Sequence, residues 1–270
     1  ISNNNTHTGI ILHKYGVCMT KHNALRMLGR SGNPTLSDAT FAGFETTGVK
    51  TMTLQGTVNK VGILLALVIG GALFTWNQFY STGSAGFLMP VGLFGGMIFA
   101  VITMFRPTLA MYTAPIYAIL QGLFLGGISA AFESMYPGIV IQATGLTFGT
   151  LASLLVLYKT GVIKPTENFR LMIVSATMGI AVLYAISFVM SLFGSGIGFI
   201  HSNGLFGIGF SLFVVGIAAM NLVLDFDFIE DGAERGAPRY MEWFGAFALM
   251  VTLIWLYLEM LRLLAKIRSR

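Results

Sequence analysis

The stretch VGILLALVIGGALFTWNQF at residues 61–79 decides the fold class. It contains no Asp, Glu, Lys or Arg. A helix needs about 20 apolar residues to cross a hydrocarbon layer about 30 Å thick, because each residue adds about 1.5 Å. Similar apolar runs follow at 86–105, 108–131, 137–158, 170–193, 203–224 and 243–264. The sequence therefore predicts an all-α fold, a polytopic bundle of seven transmembrane helices.

The composition supports a lipid environment for most of the chain. Of the 270 residues, 55% are hydrophobic and only 10% are charged, whereas soluble domains carry about 25% charged residues. We divide the chain into a polar, flexible N-terminal segment at 1–56, a helix bundle at 57–264 and a basic tail at 265–270. Residues 53–60 are expected to form a short interfacial helix. The bilayer is thus the first predicted partner of this protein.

The distribution of positive charge predicts the orientation of the bundle. Twelve of the sixteen Lys and Arg residues fall on one side of the predicted membrane, together with residues 1–60. Cytoplasmic loops are enriched in Lys and Arg, so the N-terminus is expected in the cytoplasm or its equivalent. The same rule explains the net charge of +5 without a nucleic-acid partner. Residues 1–37 contain no acid, so an organellar membrane is one possible host.

Four cations after the seventh apolar run disagree with this orientation: Arg262, Lys266, Arg268 and Arg270. Seven complete crossings would place them outside. A re-entrant seventh segment would instead return them to the cytoplasmic side. Both alternatives stay open at the level of sequence, and the length of 243–264 favours a complete crossing.

Small residues spaced four apart predict close helix crossings. Gly122 and Gly126 form one such pair, and Gly145 and Gly149 form another. Helices in lipid approach closely where small residues face each other, because apolar attraction alone does not hold helices together in oil. Both pairs are therefore expected to lie at helix–helix contacts.

The clearest candidate site is the stretch NLVLDFDFIEDGAE at residues 221–234, where a very apolar run ends in five acids. A carboxylate at membrane depth costs about 2.5–3.5 kcal/mol on insertion scales, so it usually faces a cavity or a partner. Asn221 and Asp225 are four residues apart and would share one helix face, whereas Asp227 would point elsewhere. Arg239 or Arg106 could supply the opposite charge. The alternative is a solvated acidic loop, and it is the preferred interpretation for Glu230, Asp231 and Glu234.

Two further acids belong to the seventh run. Glu259 lies inside it, three residues before Arg262, so the two side chains are expected to pair along the helix. Such a pair fits either an ion pathway or the membrane edge. Glu242 stands at the start of the helix, where a carboxylate suits the positive end of the helix dipole and acts as a cap.

Several classes of enzyme lack their motifs in this chain. His201 is the only His beyond residue 22, so the bundle has no HExxH motif, and no G-x-S-x-G elbow or Walker-type loop occurs. The sequence thus predicts a protein that is not an enzyme and has no resident cofactor.

The chain resembles the Bax-inhibitor-motif membrane family, in its bacterial form. The resemblance runs from about residue 31 to 264 and rests on SGNPTLSDATF at 31–41, MTLQGTVNKVGILL at 52–65, MFRPTLAMYTAPIYAILQGLFLGGIS at 104–129 and LDFDFIEDGAERGAPRYMEWFGAFALMVTLIWLYLEMLRLL at 224–264. It implies a seven-helix bundle that leaks Ca²⁺ down its gradient under the control of pH. Its bacterial form implies the bacterial inner (plasma) membrane as the host, with an organellar membrane as the alternative. In that family an aspartate at the cytoplasmic end of the sixth helix shares a proton with an aspartate in the seventh, and ionisation of the pair is tied to opening.

The family's functional residues map only partly onto this chain. Asp225 matches the first aspartate, while Thr252 stands where the family has the second, so Asp227 or Glu259 would have to substitute for it. Arg106 matches a basic residue that follows the second helix in the family. Asp225, with Asn221, would then form a weak, transient Ca²⁺ site, because Ca²⁺ prefers several oxygen ligands.

Three hypotheses follow from the sequence. The first is a leak pathway for Ca²⁺ or other cations that passes Asp225. The second is a non-conducting scaffold that binds other membrane proteins through its small-residue faces. The third is a proton-coupled carrier that uses the same acids.

Overall fold

The computed structural model describes residues 51–192 and 204–269, apart from the side chains of Phe188 and Leu192. Within these ranges seven helices are long and apolar enough to cross a membrane. They are α1 (Leu54–Thr82), α2 (Leu88–Phe105), α3 (Ala110–Met135), α4 (Ile139–Lys159), α5 (Glu167–Leu192), α6 (Leu205–Glu234) and α7 (Met241–Arg268). A 3₁₀ turn at Pro107–Leu109 joins α2 to α3. The predicted all-α seven-helix bundle is confirmed.

Helix α7 forms the centre of the bundle. In its most apolar window 78% of the residues are buried, against 22% for α1 and 17% for α2. It packs against α1, α3, α4 and α6, and its largest fully buried side chains include Phe244, Phe247 and Leu256. Helix α3 lies against α1 and α2, whereas α5 packs mainly on α6. Side chains that project from α6 and α7 therefore face protein more than lipid.

Helix α7 is continuous and long enough to cross a membrane, so the seventh segment does not have the re-entrant form. It is one continuous helix of 28 residues, about 42 Å long at 1.5 Å per residue. At its C-terminal end Arg268 donates to the carbonyl oxygen of Pro137 at 2.7 Å, between α3 and α4. At the opposite end Met52 N donates to Ala237 O at 2.6 Å, just before α7 begins. The two ends of α7 thus meet different ends of the bundle.

The cations after the seventh apolar run, which did not fit the predicted orientation, contact nearby protein groups. Arg262 pairs with Glu259, and Lys266 donates to Ser211 Oγ at 2.8 Å and to Gly207 O at 3.1 Å. Arg268 also donates to Gln142 Oε1 at 2.9 Å. Protein groups therefore satisfy these three cations at the end of the bundle where few other cations lie.

Two expectations about the ends of helices are wrong. Residues 54–60 are not a separate interfacial helix, because they form the first turns of the 29-residue helix α1. Helix α6 continues for ten residues beyond residue 224 and ends only at Glu234, before Gly236 with a φ of 66°. The five acids therefore lie on a helix and not in a loop. The apolar run marks the extent of the hydrocarbon layer, but Asp and Glu do not break a helix.

The glycine pairs have different environments. A Cβ added to Gly126 would lie 2.8 Å from Ala72 Cα, and one added to Gly122 would lie 3.1 Å from Gly71 Cα, so this pair allows α1 and α3 to touch. The prediction is confirmed for Gly122 and Gly126. It is wrong for Gly145 and Gly149, because a Cβ at either position would meet no atom within 4 Å.

The predicted N-terminal segment lies outside the described residues as far as residue 50. Its last part, Thr51–Thr53, runs beside the connection from α6 to α7, where Thr51 forms a bridge with Pro238.

Candidate functional site

The end of α6 carries two buried polar side chains on one face. Asn221 and Asp225 are 1% and 0% exposed, one helical turn apart. The Asn221 amide nitrogen donates to Thr177 Oγ1 on α5 at 2.8 Å and to Ile217 O at 2.9 Å. Its side-chain oxygen Oδ1 is buried and accepts no hydrogen bond from the part of the chain that the structure describes. Asn221 and Asp225 thus lie one helical turn apart on the buried face of α6.

The next two acids of α6 contact neighbouring helices. Asp227 Oδ2 accepts from Arg170 Nη2 on α5 at 2.6 Å, and both side chains are less than one fifth exposed. Glu230 accepts a hydrogen bond from the Tyr158 hydroxyl of α4. The interpretation of Glu230 as part of a solvated loop is therefore wrong, since this acid lies on a helix and joins two helices.

The last two acids of α6 differ in exposure, since the Asp231 side chain is 19% exposed and Glu234 is exposed. Asp231 lies 2.9 Å from Arg235 Nε, four residues further on, and Glu234 faces outward. Exposed pairs of this kind contribute about 0.3–0.5 kcal/mol. Both residues belong to helix α6, so the predicted loop is wrong for them as well.

Neither predicted cationic partner pairs with Asp225. The Arg106 side chain is exposed at the end of α2 and makes no ion pair within the described residues. Arg239 Nε lies 3.9 Å from Glu242 Oε2 instead. The expected pairing is wrong because Asp225 is buried inside the bundle, whereas both arginines sit on its outside.

Thr252 is buried in α7, at 2% exposure, and its hydroxyl donates to Ala248 O of the preceding turn at 3.4 Å. A threonine hydroxyl can bond to its own helix in this way, whereas an ionised carboxylate only accepts hydrogen bonds. The position that resembles the second aspartate of the family thus holds a neutral group.

Glu259 lies at the opposite half of α7 and is 1% exposed. Its Oε1 accepts from Arg262 Nη1 at 2.6 Å, as predicted, and from the Tyr184 hydroxyl of α5 at 3.0 Å. Arg262 Nη1 also donates to Tyr184 Oη at 2.8 Å. The second oxygen, Oε2, is buried and accepts no hydrogen bond from the described residues. Glu259 is therefore interior to the bundle, whereas the side chain of its partner Arg262 is 39% exposed.

Sequence reasoning missed Thr177, Tyr184 and Arg170 of α5 as contacts of the acids. It also missed the partners of Glu242, which does not act as a simple cap. Glu242 Oε2 lies 2.6 Å from Lys60 Nζ, and Oε1 accepts from Thr53 N at 3.0 Å. One signal was available in the sequence, because Arg170, Thr177 and Tyr184 recur at every seventh position.

A cavity of about 290 Å³ lies elsewhere, between α1, α3, α4 and α7. Its walls are almost wholly apolar, with hydroxyls from Ser129, Thr144, Thr147 and Tyr257. Ser129 and Tyr257 hydrogen-bond to each other at 2.7 Å. Neither Asp225 nor Glu259 lines it. The Tyr257 side chain thus packs between helices beside this cavity.

A metal-binding cluster of three or more His, Cys, Asp or Glu is not found among residues 51–192 and 204–269. On the buried face of α6, Asp225 contributes one carboxylate and Asn221 one amide oxygen. Ca²⁺ takes six to eight oxygen ligands in most sites. This donor set fits transient contact with a hydrated cation better than tight binding.

Seven membrane-length helices with acids buried among them define an integral membrane protein whose interior carries polar groups. The family model described as Bax inhibitor 1 like matches residues 33–269, nearly the whole chain. The protein belongs to this family, which is generally one of non-enzymatic membrane proteins. No curated protein and no solved structure matches the chain.

Proposed function

We propose that this protein is a leak channel for cations, with Ca²⁺ as the expected ion and with pH-dependent flux. The observation that carries the proposal is the complete burial of Asp225 on a membrane-spanning helix, one turn from the buried amide oxygen of Asn221. Burying a carboxylate in the membrane costs about 2.5–3.5 kcal/mol on insertion scales, and intramembrane acids commonly mark ion pathways.

The charges around Asp225 favour the passage of a cation over its tight binding. Asp227 is neutralised by Arg170, and Glu230 is held by the Tyr158 hydroxyl. A cation that arrives at this end of α6 would therefore meet side-chain oxygens beside an aspartate whose acidic neighbours Asp227 and Glu230 already have partners. Conduction needs binding that is favourable enough for entry and weak enough for release. The charge distribution supports an orientation of the protein with its N-terminus in the cytoplasm. The proposed host is the bacterial inner membrane, and an organellar membrane is the alternative.

Replacement of Asp225 by Asn is expected to lower Ca²⁺ flux to about one tenth or less and to abolish its pH dependence, because the amide carries no titratable charge at the mouth of the pathway. Flux is measured with a Ca²⁺ dye trapped in proteoliposomes at several pH values. The matched control is Glu234→Gln, at the same end of α6 and exposed. If Asp225→Asn leaves both flux and pH dependence as in the unmodified protein, the proposed channel function is wrong.

A non-conducting scaffold is the alternative, and one observation favours it. Gly145 and Gly149 lie one turn apart on the exposed face of α4, with open space beside both. Small residues one turn apart let a second membrane helix approach closely. On this alternative, a partner membrane protein co-purifies with the chain and is lost in the Gly145→Leu/Gly149→Leu variant, while proteoliposomes conduct no Ca²⁺. Retention of the partner by that variant would exclude this face as the binding surface.

A further inference from the structure

Helix α5 carries a polar side chain at every seventh position, and each contacts a polar group of α6 or α7. Arg170 pairs with Asp227, Thr177 accepts from Asn221, and Tyr184 donates to Glu259. Seven residues make almost two helical turns, so these side chains lie along one face at intervals of about 10.5 Å. We call this line of contacts between α5, α6 and α7 the polar seam.

The polar seam spans most of the membrane. Arg170 and Tyr184 are 14 positions apart on α5, which corresponds to about 21 Å of a hydrocarbon core about 30 Å thick. On α7 the polar residues Thr252, Glu259 and Lys266 show the same seven-residue spacing. Lys266 extends the line to Ser211 on α6, at the end of the bundle opposite Asp225.

Stability does not explain this arrangement. Polar and charged groups cost free energy when they leave water, and a buried ion pair often contributes no more than apolar residues of similar volume. Helix α5 packs mainly on α6, and its apolar contacts there centre on Ile173 and Val174 against Leu224. A helix held by few apolar contacts opens at low cost in free energy. The polar face of α5 thus lies where α5 can separate from α6 at low cost.

Glu259 supplies a second carboxylate at the far half of the seam. Arg262 and Tyr184 both bond to Oε1, whereas Oε2 is buried and accepts no hydrogen bond within the described part of the chain. A buried carboxylate oxygen in this state retains its full capacity to contact a cation. The apolar cavity offers no comparable group, because its polar lining atoms are hydroxyls and none of its lining residues is charged.

We propose that cations cross the membrane along the polar seam, between Asp225 and Asn221 at one end and Glu259 as a second carboxylate station at the other. This inference rests on the proposed channel function and adds the route and the second station. In the closed arrangement Tyr184 and Arg262 hold one oxygen of Glu259. A passing cation contacts the other oxygen and competes with Arg262 for the carboxylate.

Substitution of Glu259 by Gln tests the second station. It keeps the shape of the side chain and leaves the charges of Arg262 and Lys266 in place, so the outer half of the seam becomes more positive. Ca²⁺ flux in proteoliposomes is expected to fall about tenfold, which corresponds to about 1.4 kcal/mol. The matched control is Glu133→Gln at the same end of the bundle, where the carboxylate accepts from Gly138 N and Val140 N away from the seam. Equal flux in the Glu259→Gln variant and the unmodified protein would overturn the proposal.

A tyrosine variant, with a second tyrosine as its control, is expected to raise the flux that Glu259→Gln lowers. Tyr184→Phe removes the hydroxyl that bonds to both Glu259 and Arg262, so Glu259 Oε1 keeps only its bond to Arg262 and the carboxylate meets a cation more easily. We expect Ca²⁺ flux to rise several-fold. Tyr257→Phe removes a hydroxyl that bonds to Ser129 beside the apolar cavity and should leave flux unchanged. A rise for Tyr184→Phe with a fall for Glu259→Gln cannot arise from general loss of folding. A fall in both tyrosine variants alike would count against the seam.

A structural measurement separates this inference from the channel function itself. In a Cys18→Ser background, the variant Thr177→Cys is treated with a cationic methanethiosulfonate reagent. We expect modification at Thr177→Cys and none at Thr147→Cys, which lies beside the apolar cavity. Modification of neither site would show that the seam is dry and would overturn the route. If Asp225→Asn abolishes flux while Glu259→Gln does not, the channel function survives and this route fails. If the unmodified protein conducts no cation, the channel function fails first.

Discussion

The substitution Glu242→Gln is expected to lower the free energy of unfolding by about 3–5 kcal/mol, because removal of one partner leaves a buried charge without compensation. Glu242 begins α7 and its side chain is only 3% exposed. Its Oε2 lies 2.6 Å from Lys60 Nζ, and its Oε1 accepts from both the backbone nitrogen and the hydroxyl of Thr53 at 3.0 Å. The Lys60 side chain is itself only 14% exposed, so glutamine would strand an ammonium group against protein.

These contacts connect the first and last helices at one end of the bundle. Thr53 caps α1 by accepting from Gly56 N at 3.0 Å, while the same hydroxyl donates to Glu242. Met52 N and Ala237 O add a backbone bond at 2.6 Å beside them. Loss of Glu242 therefore weakens the start of α1 as well as the ion pair. Thermal unfolding in detergent, followed by circular dichroism, measures the effect.

A double-mutant cycle with Lys60→Met separates the pair from its surroundings. The double variant is expected to be more stable than Glu242→Gln alone, because methionine leaves no buried charge. The pair Asp231–Arg235 serves as the control through its exposed partner, and Arg235→Met should cost less than about 1 kcal/mol because the Arg235 side chain is 51% exposed. Gly56→Ala provides a variant that keeps every charge, since its Cβ would lie 2.6 Å from Glu242 Oε2 and displace the carboxylate. Equal stability of Gly56→Ala and Gly62→Ala, where the added Cβ meets open space, would contradict this account.

The sequence predicted the seven crossings because their signal is local. Length and hydropathy of each run suffice, since lipid demands about 20 apolar residues in every span. The Glu259–Arg262 pair was predicted for the same reason, as it lies within one helix turn. By contrast, 182 positions separate Lys60 from Glu242, and their contact depends on how α1 and α7 pack. No spacing rule along one helix reports such a pair.

The candidate site was predicted in part. The burial of Asn221 and Asp225 on one face follows from a four-residue spacing once the helix continues. The partners of the acids could not be predicted, because Arg170, Tyr158 and Tyr184 lie on other helices. The sequence of one apolar run does not report which helices it packs against. The end of α6 was misplaced because hydropathy marks where lipid ends. The helix itself ends where a residue leaves the helical conformation, here near Gly236.

The glycine pairs illustrate the same limit and yield the second large effect. Gly122–Gly126 and Gly145–Gly149 have identical spacing, yet only the first pair touches another helix. A methyl at Gly126 would lie within 3.0 Å of three atoms of Ala72, all of them backbone. A flexible side chain can move aside, but backbone moves only if α1 and α3 separate. The sequence pattern therefore marks the capacity for close approach, and the neighbour decides whether that capacity is used.

Gly126→Ala is expected to destabilise the bundle by about 3 kcal/mol, the upper part of the range for overpacking, because α1 must shift along its contact with α3. Gly145→Ala and Gly149→Ala should be neutral or raise stability by up to about 1 kcal/mol, since alanine favours the helix and meets open space. Thermal unfolding of the three variants in the same detergent tests the difference. Helix propensity acts equally at all three positions, so it predicts a gain in each, and only the contact with Ala72 reverses the sign at Gly126. A gain in stability for Gly126→Ala would mean that α1 and α3 do not approach as closely as the structure places them, and that the small-residue spacing serves no packing role in either pair.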